Sequence, residues 1–201
     1  MKILDRTGGY LNNPNLKKAR TRIQWTPENI QEFIRCRDDP IYFAEKYIKI
    51  VHVDHGFIPI DLYEYQKEII TKITNNRRVT VVTSRQAGKT TTAAIVILHY
   101  ILFNEHKTVA LLAHKGDASR EILDRIKLAF EALPDWLQSG VITWNKGSIQ
   151  LENGCKVIAA ATTSSSIRGK SCITGDSRVC VEEDDKYYFV EIDKIINTLK
   201  T

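Results

Sequence analysis

Apolar residues change period several times along this chain, and each change marks an element. Thr26-Pro27-Glu28 reads as a helix opening, with Thr as N-cap and Pro in the first turn. Ile30, Phe33 and Ile34 then recur at helical spacing. A second short helix is expected over Pro40–Tyr47, and an amphipathic one over Asp61–Thr74. "RRVTVVTS" (77–84) is β-branched and reads as a buried strand. Lys89–Phe103 is long and apolar throughout, as a buried helix is. "KTVALLAH" (107–114) is a second buried strand, and an amphipathic helix starts near Asp117. From Val141 to Thr162 apolar and polar residues alternate, with turns at Lys146-Gly147 and Asn153-Gly154, which is the pattern of a hairpin or meander. Strands alternating with helices predict an α/β fold with a mainly parallel sheet.

The 201 residues suffice for one domain plus an appendage, and 43% hydrophobic with 26% charged is ordinary for a globular protein. No apolar run reaches the ~20 residues of a membrane span, and the first twenty residues lack the apolar core of a signal peptide. A cytoplasmic location without a membrane partner is the expectation. The cysteines Cys36, Cys155, Cys172 and Cys180 show no C-x-x-C spacing, so they read as thiols rather than zinc ligands.

Charge is uneven along the chain. The net +5 divides into +8 for residues 1–171 and −3 for residues 172–201. A basic body suits a polyanion such as DNA, and an ordinary solvated surface fits equally well. Residues 1–24, with Lys17, Lys18, Arg20 and Arg22 close together, are expected as a mobile basic arm. The asymmetry also points to the last thirty residues as a separate module.

The chemistry concentrates at "TSRQAGKTT", Thr83-Ser84-Arg85-Gln86-Ala87-Gly88-Lys89-Thr90-Thr91. Gly88-Lys89-Thr90 matches the end of G-x-x-x-x-G-K-[ST], with Thr83 in place of the first glycine. A strand is expected before it and a helix after it, as a phosphate loop requires. Gly88 lets backbone N–H groups approach phosphate oxygens, and the helix N-terminus adds roughly half a positive charge. Lys89 is placed to reach the β- and γ-phosphates of ATP, and the Thr90 hydroxyl to join the shell of Mg²⁺. Arg85 is either a cation for the transferring phosphoryl group or a phosphate anchor at the surface. One helix upstream, Gln66 has the groups to pair with adenine, and Tyr65 the ring to stack on it.

The runs SRQAGKTT, LLAHKGDASREILDR, LPDWLQSGVITWNKGSIQLENG and SSSIRGKS, in this order, closely resemble the large terminase subunit of tailed bacteriophages. The resemblance covers residues 25–171. It implies an ATP-driven motor that packages double-stranded DNA, built on a P-loop NTPase domain. It implies adenine recognition by Gln66, a cis-acting arginine at Arg85, and work in the host cytoplasm with the portal and the small terminase subunit. In that family the stretch Arg168–Ser171 leads into a buried strand ending in Asp-Glu, then to a nuclease domain. No such strand is found in residues 172–201, and the run Glu182–Asp185 reads as a solvated turn. The P-loop domain is therefore expected to be incomplete, and the isolated chain to bind nucleotide poorly and hydrolyse it hardly at all.

"CITGDSRV", from Cys172 to Val179, resembles the first block of an intein, the self-excising element of protein splicing. Strand, acidic turn, strand and short helix are expected after it, as at the start of a small β-rich Hint-type fold. The resemblance implies that the Cys172 sulfur attacks the Ser171 carbonyl carbon and that the leaving amide nitrogen takes a proton from a general acid. In inteins that acid is a histidine of a T-x-x-H motif, whereas His52, His55, His99, His106 and His114 all precede Cys172. Residues 172–201 thus read as the N-terminal half of a split intein. A complementary, basic chain would carry the rest of the intein and of the terminase, and would bury Val179, Val181, Tyr188 and Val190. Two alternatives stay open: a truncated, non-splicing fragment, and a nucleotide- or DNA-binding module in which Cys172 is a core thiol.

Overall fold

A computed structural model describes residues 9–52, 56–162, 178–183 and 186–191. The chain forms two compact units, Met1–Thr163 and Ser164–Thr201.

In the first unit, α1 (Pro27–Asp38) is capped by Thr26, whose hydroxyl accepts from the Asn29 N–H. α2 (Pro40–Tyr47) is capped by Asp39, whose carboxylate accepts from Ile41 and Tyr42 N–H. Strands β1 (Lys49–His52) and β2 (Gly56–Pro59) pair antiparallel. α3 (Glu64–Asn75), α4 (Lys89–Phe103), β3 (Thr108–Ala113) and α5 (Gly116–Glu131) follow. β4 (Val141–Asn145), β5 (Ser148–Leu151) and β6 (Lys156–Ala161) form the meander expected from the alternation. α4 is apolar on nearly every side because it is the centre of the core. It buries Ala94, Ile95, Leu98, Ile101 and Leu102, and α5 adds Leu123, Ile126 and Phe130 from its apolar stripe. α1 joins through Phe33, 5.0 Å edge-on from Phe103, and through the Cys36 carbonyl, which accepts from His99 Nε2 at 3.0 Å.

Three expectations change. The sheet is mixed: in the order β3-β6-β5-β4 only β3 and β6 run parallel, while β5–β6 and β4–β5 are antiparallel. The run 77–84 forms neither helix nor strand and joins no ladder, and Val82 is 89% exposed. β-branching favours the extended conformation, but a strand also needs a hydrogen-bonded neighbour, and β3 pairs only with β6. Ile30 and Ile34 face outward, and α1 buries Cys36 and packs Phe33 instead.

The basic start is not a free arm over residues 9–20. Leu16 is buried, and the chain runs along the β4 edge as a strap. Val141 N–H donates to the Lys17 carbonyl at 2.9 Å, Lys17 N–H to Gln138 Oε1, and Arg20 N–H to Glu152 Oε2. Gly140 makes room for it, since a Cβ there would lie 2.7 Å from the Ala19 Cα. Burial lowers the Lys17 ammonium from its ordinary value, against the opposing pull of Glu152 and Asp135. Two apolar contacts, Leu16 and Tyr10, and a few backbone bonds thus outweigh the polar composition that reads as disorder.

In the second unit, β7 (Arg178–Glu183) and β8 (Lys186–Glu191) pair antiparallel. The register sets Val179 opposite Val190 and Val181 opposite Tyr188, so these four fall on one face of the ribbon. The acidic turn at Asp184-Asp185 and the short helix expected after β8 lie outside the described residues.

Candidate phosphate-loop site

The link between α3 and α4 carries the candidate site. Its backbone turns through two left-handed positions, Gln86 at φ +64° and Gly88 at φ +69°. Glycine takes that conformation freely, but glutamine pays for it, and such residues gather at functional loops. α4 begins immediately after Gly88 with no side-chain cap, so its first N–H groups are not claimed by a capping side chain. This arrangement fits a phosphate group: a tight turn, a 15-residue helix behind it, and a cation at the first helical position.

That cation, Lys89, donates through Nζ to the Thr83 carbonyl at 3.2 Å and to the Ser84 carbonyl. The ammonium therefore lies inside the loop. Ser84, Arg85 and Gln86 are exposed, and so is Thr90, at the second helical position. Thr83, Ala87 and Gly88 are half-buried. The half-buried Thr91 hydroxyl accepts from Arg125 Nη1 at 3.4 Å, and Arg125 Nη2 donates to Glu121 at 2.9 Å. Sequence reasoning missed this α5 arginine, because its spacing from the loop carries no signal.

The first turn of α3 supports the loop from below. Gln66 is only 5% exposed, and its Oε1 accepts the Tyr63 N–H at 3.0 Å. A Cβ on Gly88 would stand 2.5 Å from Gln66 Nε2, so this glycine is needed twice: for its φ and for this approach. The Tyr65 hydroxyl donates to the Ala87 carbonyl at 3.0 Å. The Tyr63 and Tyr65 rings stack, with centroids 5.6 Å apart and planes 8° from parallel. Tyr63 was not singled out in the sequence; the available signal was the doubled aromatic in Tyr63-Glu64-Tyr65-Gln66.

A cavity of about 450 Å³ lies on the flank of α4, lined by Ile48, Ile50, Thr91, Ile95, Arg125 and Leu128 among others. Of the run Thr83–Thr91 it takes in only Thr91, the last residue. Ser171 and Cys172 lie outside the described residues. Among the described residues no helix is long and apolar enough to cross a membrane.

The family model for the terminase large subunit, T4likevirus-type, N-terminal, matches residues 80–181, about half of the chain. The match takes in the whole loop from Thr83 to Thr91, leaves Tyr65 and Gln66 upstream, and runs past Ser171 to Val181 in β7.

Proposed function

Since this chain belongs to the terminase large subunit family through its T4likevirus-type N-terminal part, we propose that its first unit is the nucleotide-binding portion of a phage DNA-packaging ATPase. Terminase large subunits are ATPases that package DNA, working with the portal. The observation that carries the reading is the loop ending at Gly88, left-handed at Gln86 and Gly88 and followed directly by Lys89 on an uncapped helix.

In this reading Lys89 turns from the Thr83 and Ser84 carbonyls to the phosphates of ATP, and the N–H groups of the loop cradle them. Thr90, exposed at the start of α4, would join the Mg²⁺ shell, and Mg²⁺ supplies charge neutralisation when bound. Arg85, exposed within the turn, is free to face a phosphoryl group. Gln66 serves as a strut as well as a base contact, because its carbonyl oxygen already caps α3. Pairing with adenine would use its amide hydrogens and the second lone pair of that oxygen.

We further infer that the chain is matured by protein trans-splicing at Ser171/Cys172. The Cys172 thiolate attacks the Ser171 carbonyl carbon, the peptide C–N bond breaks, and the amide nitrogen takes a proton, leaving a thioester. A complementary chain would supply the acid, the remaining intein residues, and the rest of the ATPase with its nuclease. The block Cys172–Val179 and the antiparallel ribbon that follows it support this reading. The ribbon groups Val179, Val190, Val181 and Tyr188 on one face, and a two-stranded ribbon is marginal without a partner. One finding favours a second reading, an uninterrupted, non-splicing terminase domain: the family match continues ten residues beyond Ser171.

Tryptic mass spectrometry of the protein co-expressed with a complementary chain separates the two. Trypsin cuts after Lys170. Splicing yields a peptide that begins at Ser171 and continues into sequence absent from this chain, and Cys172→Ala abolishes it. If only SCITGDSR is recovered, no splicing has occurred and the non-splicing readings gain.

A further inference from the structure

We propose that Tyr63 is the base-stacking wall of the nucleotide site and sets its preference for purines. This rests on the phosphate-loop reading above and deepens it.

The argument starts from a backbone detail. Residues two apart on a helix face different sides, so Tyr63 and Tyr65 should not meet. They meet because Tyr63 is the N-cap of α3, with extended φ −64° and ψ 152°. Leaving the helix there swings its ring over Tyr65, and the two lie almost parallel. The inner ring has a fixed position, since the Tyr65 hydroxyl is held by the Ala87 carbonyl in the turn of the loop. Tyr63 lies offset against one face of that ring, centroids 5.6 Å apart. The outer ring is 67% exposed. Tyr65 is 40% exposed, so the ring more open to a base is that of Tyr63, backed by Tyr65 and registered to the loop through Ala87.

The position also suits a nucleotide. Gln66, three residues on, lies against Gly88, so the tyrosine pair and the phosphate cradle share one support. Triphosphate on the loop would leave its base on the α3 side. Offset stacking on a tyrosine needs only a π-face, and its strength grows with the size of the base. Exposed aromatic rings cost solubility without adding to the core, and this pair is held in place by a hydrogen bond and a capped helix.

The test titrates the 201-residue chain with MgATP, MgCTP and magnesium tripolyphosphate by calorimetry, to millimolar concentrations. Tyr63→Ala should weaken ATP about tenfold, within the range that base–aromatic stacking supports. Tripolyphosphate should be unaffected, and the preference for ATP over CTP should collapse. Tyr63→Phe and Tyr63→Trp should keep that preference. Lys89→Ala should weaken all three ligands. If Lys89→Ala does so but Tyr63→Ala binds ATP like the wild type, or weakens ATP and tripolyphosphate equally, the assignment of Tyr63 is wrong and the phosphate loop stands. If the wild type binds none of the three even at millimolar concentration, the assignment of Tyr63 fails for this chain; if Lys89→Ala binds all as before, the phosphate-loop reading itself fails and the assignment falls with it. Tyr63 is mostly exposed, so its truncation leaves the core intact, and a thermal melt verifies this.

Discussion

The hydroxyl of Tyr65 donates to the carbonyl of Ala87 across 22 residues of chain, tying the first turn of α3 to the turn that precedes α4. Tyr65→Phe removes the bond and keeps the ring. Global stability should fall by only about 0.5–1.5 kcal/mol, as for one partly exposed hydrogen bond. The local effect should be larger: amide hydrogen exchange between Ser84 and Lys89 should speed up while α5 stays unchanged. Equal exchange in both proteins would show that the bond does not restrain the loop.

Gly88 makes a second, independent contact with the same turn. Alanine there meets a left-handed φ and the Gln66 Nε2 at 2.5 Å. Gly88→Ala should destabilise the chain by about 1–3 kcal/mol, from backbone strain plus displacement of the buried Gln66. Gln66→Ala should be costly alone, because it uncaps the Tyr63 N–H. Combined, the two should cost less than their sum, since the first steric conflict disappears with the longer side chain. Simple additivity in urea unfolding would mean that the two residues do not press on each other.

Local signals account for much of this fold. α2 was legible from Pro40 to Tyr47 because Asp39-Pro40 is a cap and a first-turn proline in sequence. The cap at Thr26 was legible for the same reason, but not the buried face of α1. Ile30, Phe33 and Ile34 fit a helical stripe, yet Cys36 and Phe33 are what α4 receives, and periodicity alone does not choose among adjacent stripes. The run 77–84 shows the limit from the other side: propensity favours a strand, while pairing depends on neighbours far along the chain. The strap over residues 9–20 was hidden because its bonds join backbone to Gln138, Val141 and Glu152, more than a hundred residues away. At the site, Gly88-Lys89-Thr90 before an apolar helix was readable. Tyr63 was not, because its ring reaches Tyr65 only through the conformation of an N-cap.

Gln138 is the fastening of that strap. Its Oε1 accepts the Lys17 N–H, and its Nε2 donates to the carbonyls of Asn15, Phe130 and Leu133. The side chain is 2% exposed, so those backbone groups have little water to turn to. Gln138→Ala should cost about 2–4 kcal/mol, the penalty for several buried groups losing their partner. The strap should loosen first, which limited proteolysis near Lys17–Arg20 would reveal before global unfolding. A variant that resists trypsin there as well as the wild type would show that the strap is held without Gln138.

Glu32 makes stability depend on acid. Burial pushes its carboxyl up, but hydrogen bonds from Lys46 (2.7 Å), Tyr42 (2.8 Å) and Tyr47 (2.8 Å) outweigh that and hold it at about 2. The folded state thus binds this proton less readily than the unfolded chain, whose carboxyl keeps its ordinary value of 4.5. The stabilisation is complete above pH 4.5 and is lost as pH falls toward 2. Glu32→Gln should therefore be less stable than the wild type by about 1–3 kcal/mol at pH 7. The two should converge near pH 2, where the wild-type carboxyl is itself taking up its proton. His99 provides an internal control. Burial holds its imidazole below the ordinary 6.5, and its Nε2–H donates to the Cys36 carbonyl. Both proteins should lose stability together as pH drops below 6.5, because only the unfolded histidine gains a proton there. Urea unfolding at pH 7, 5.5, 4 and 2.5 separates the two contributions. A gap between wild type and Glu32→Gln that stays constant down to pH 2.5 would show that the Glu32 carboxylate is not what joins α1 to α2.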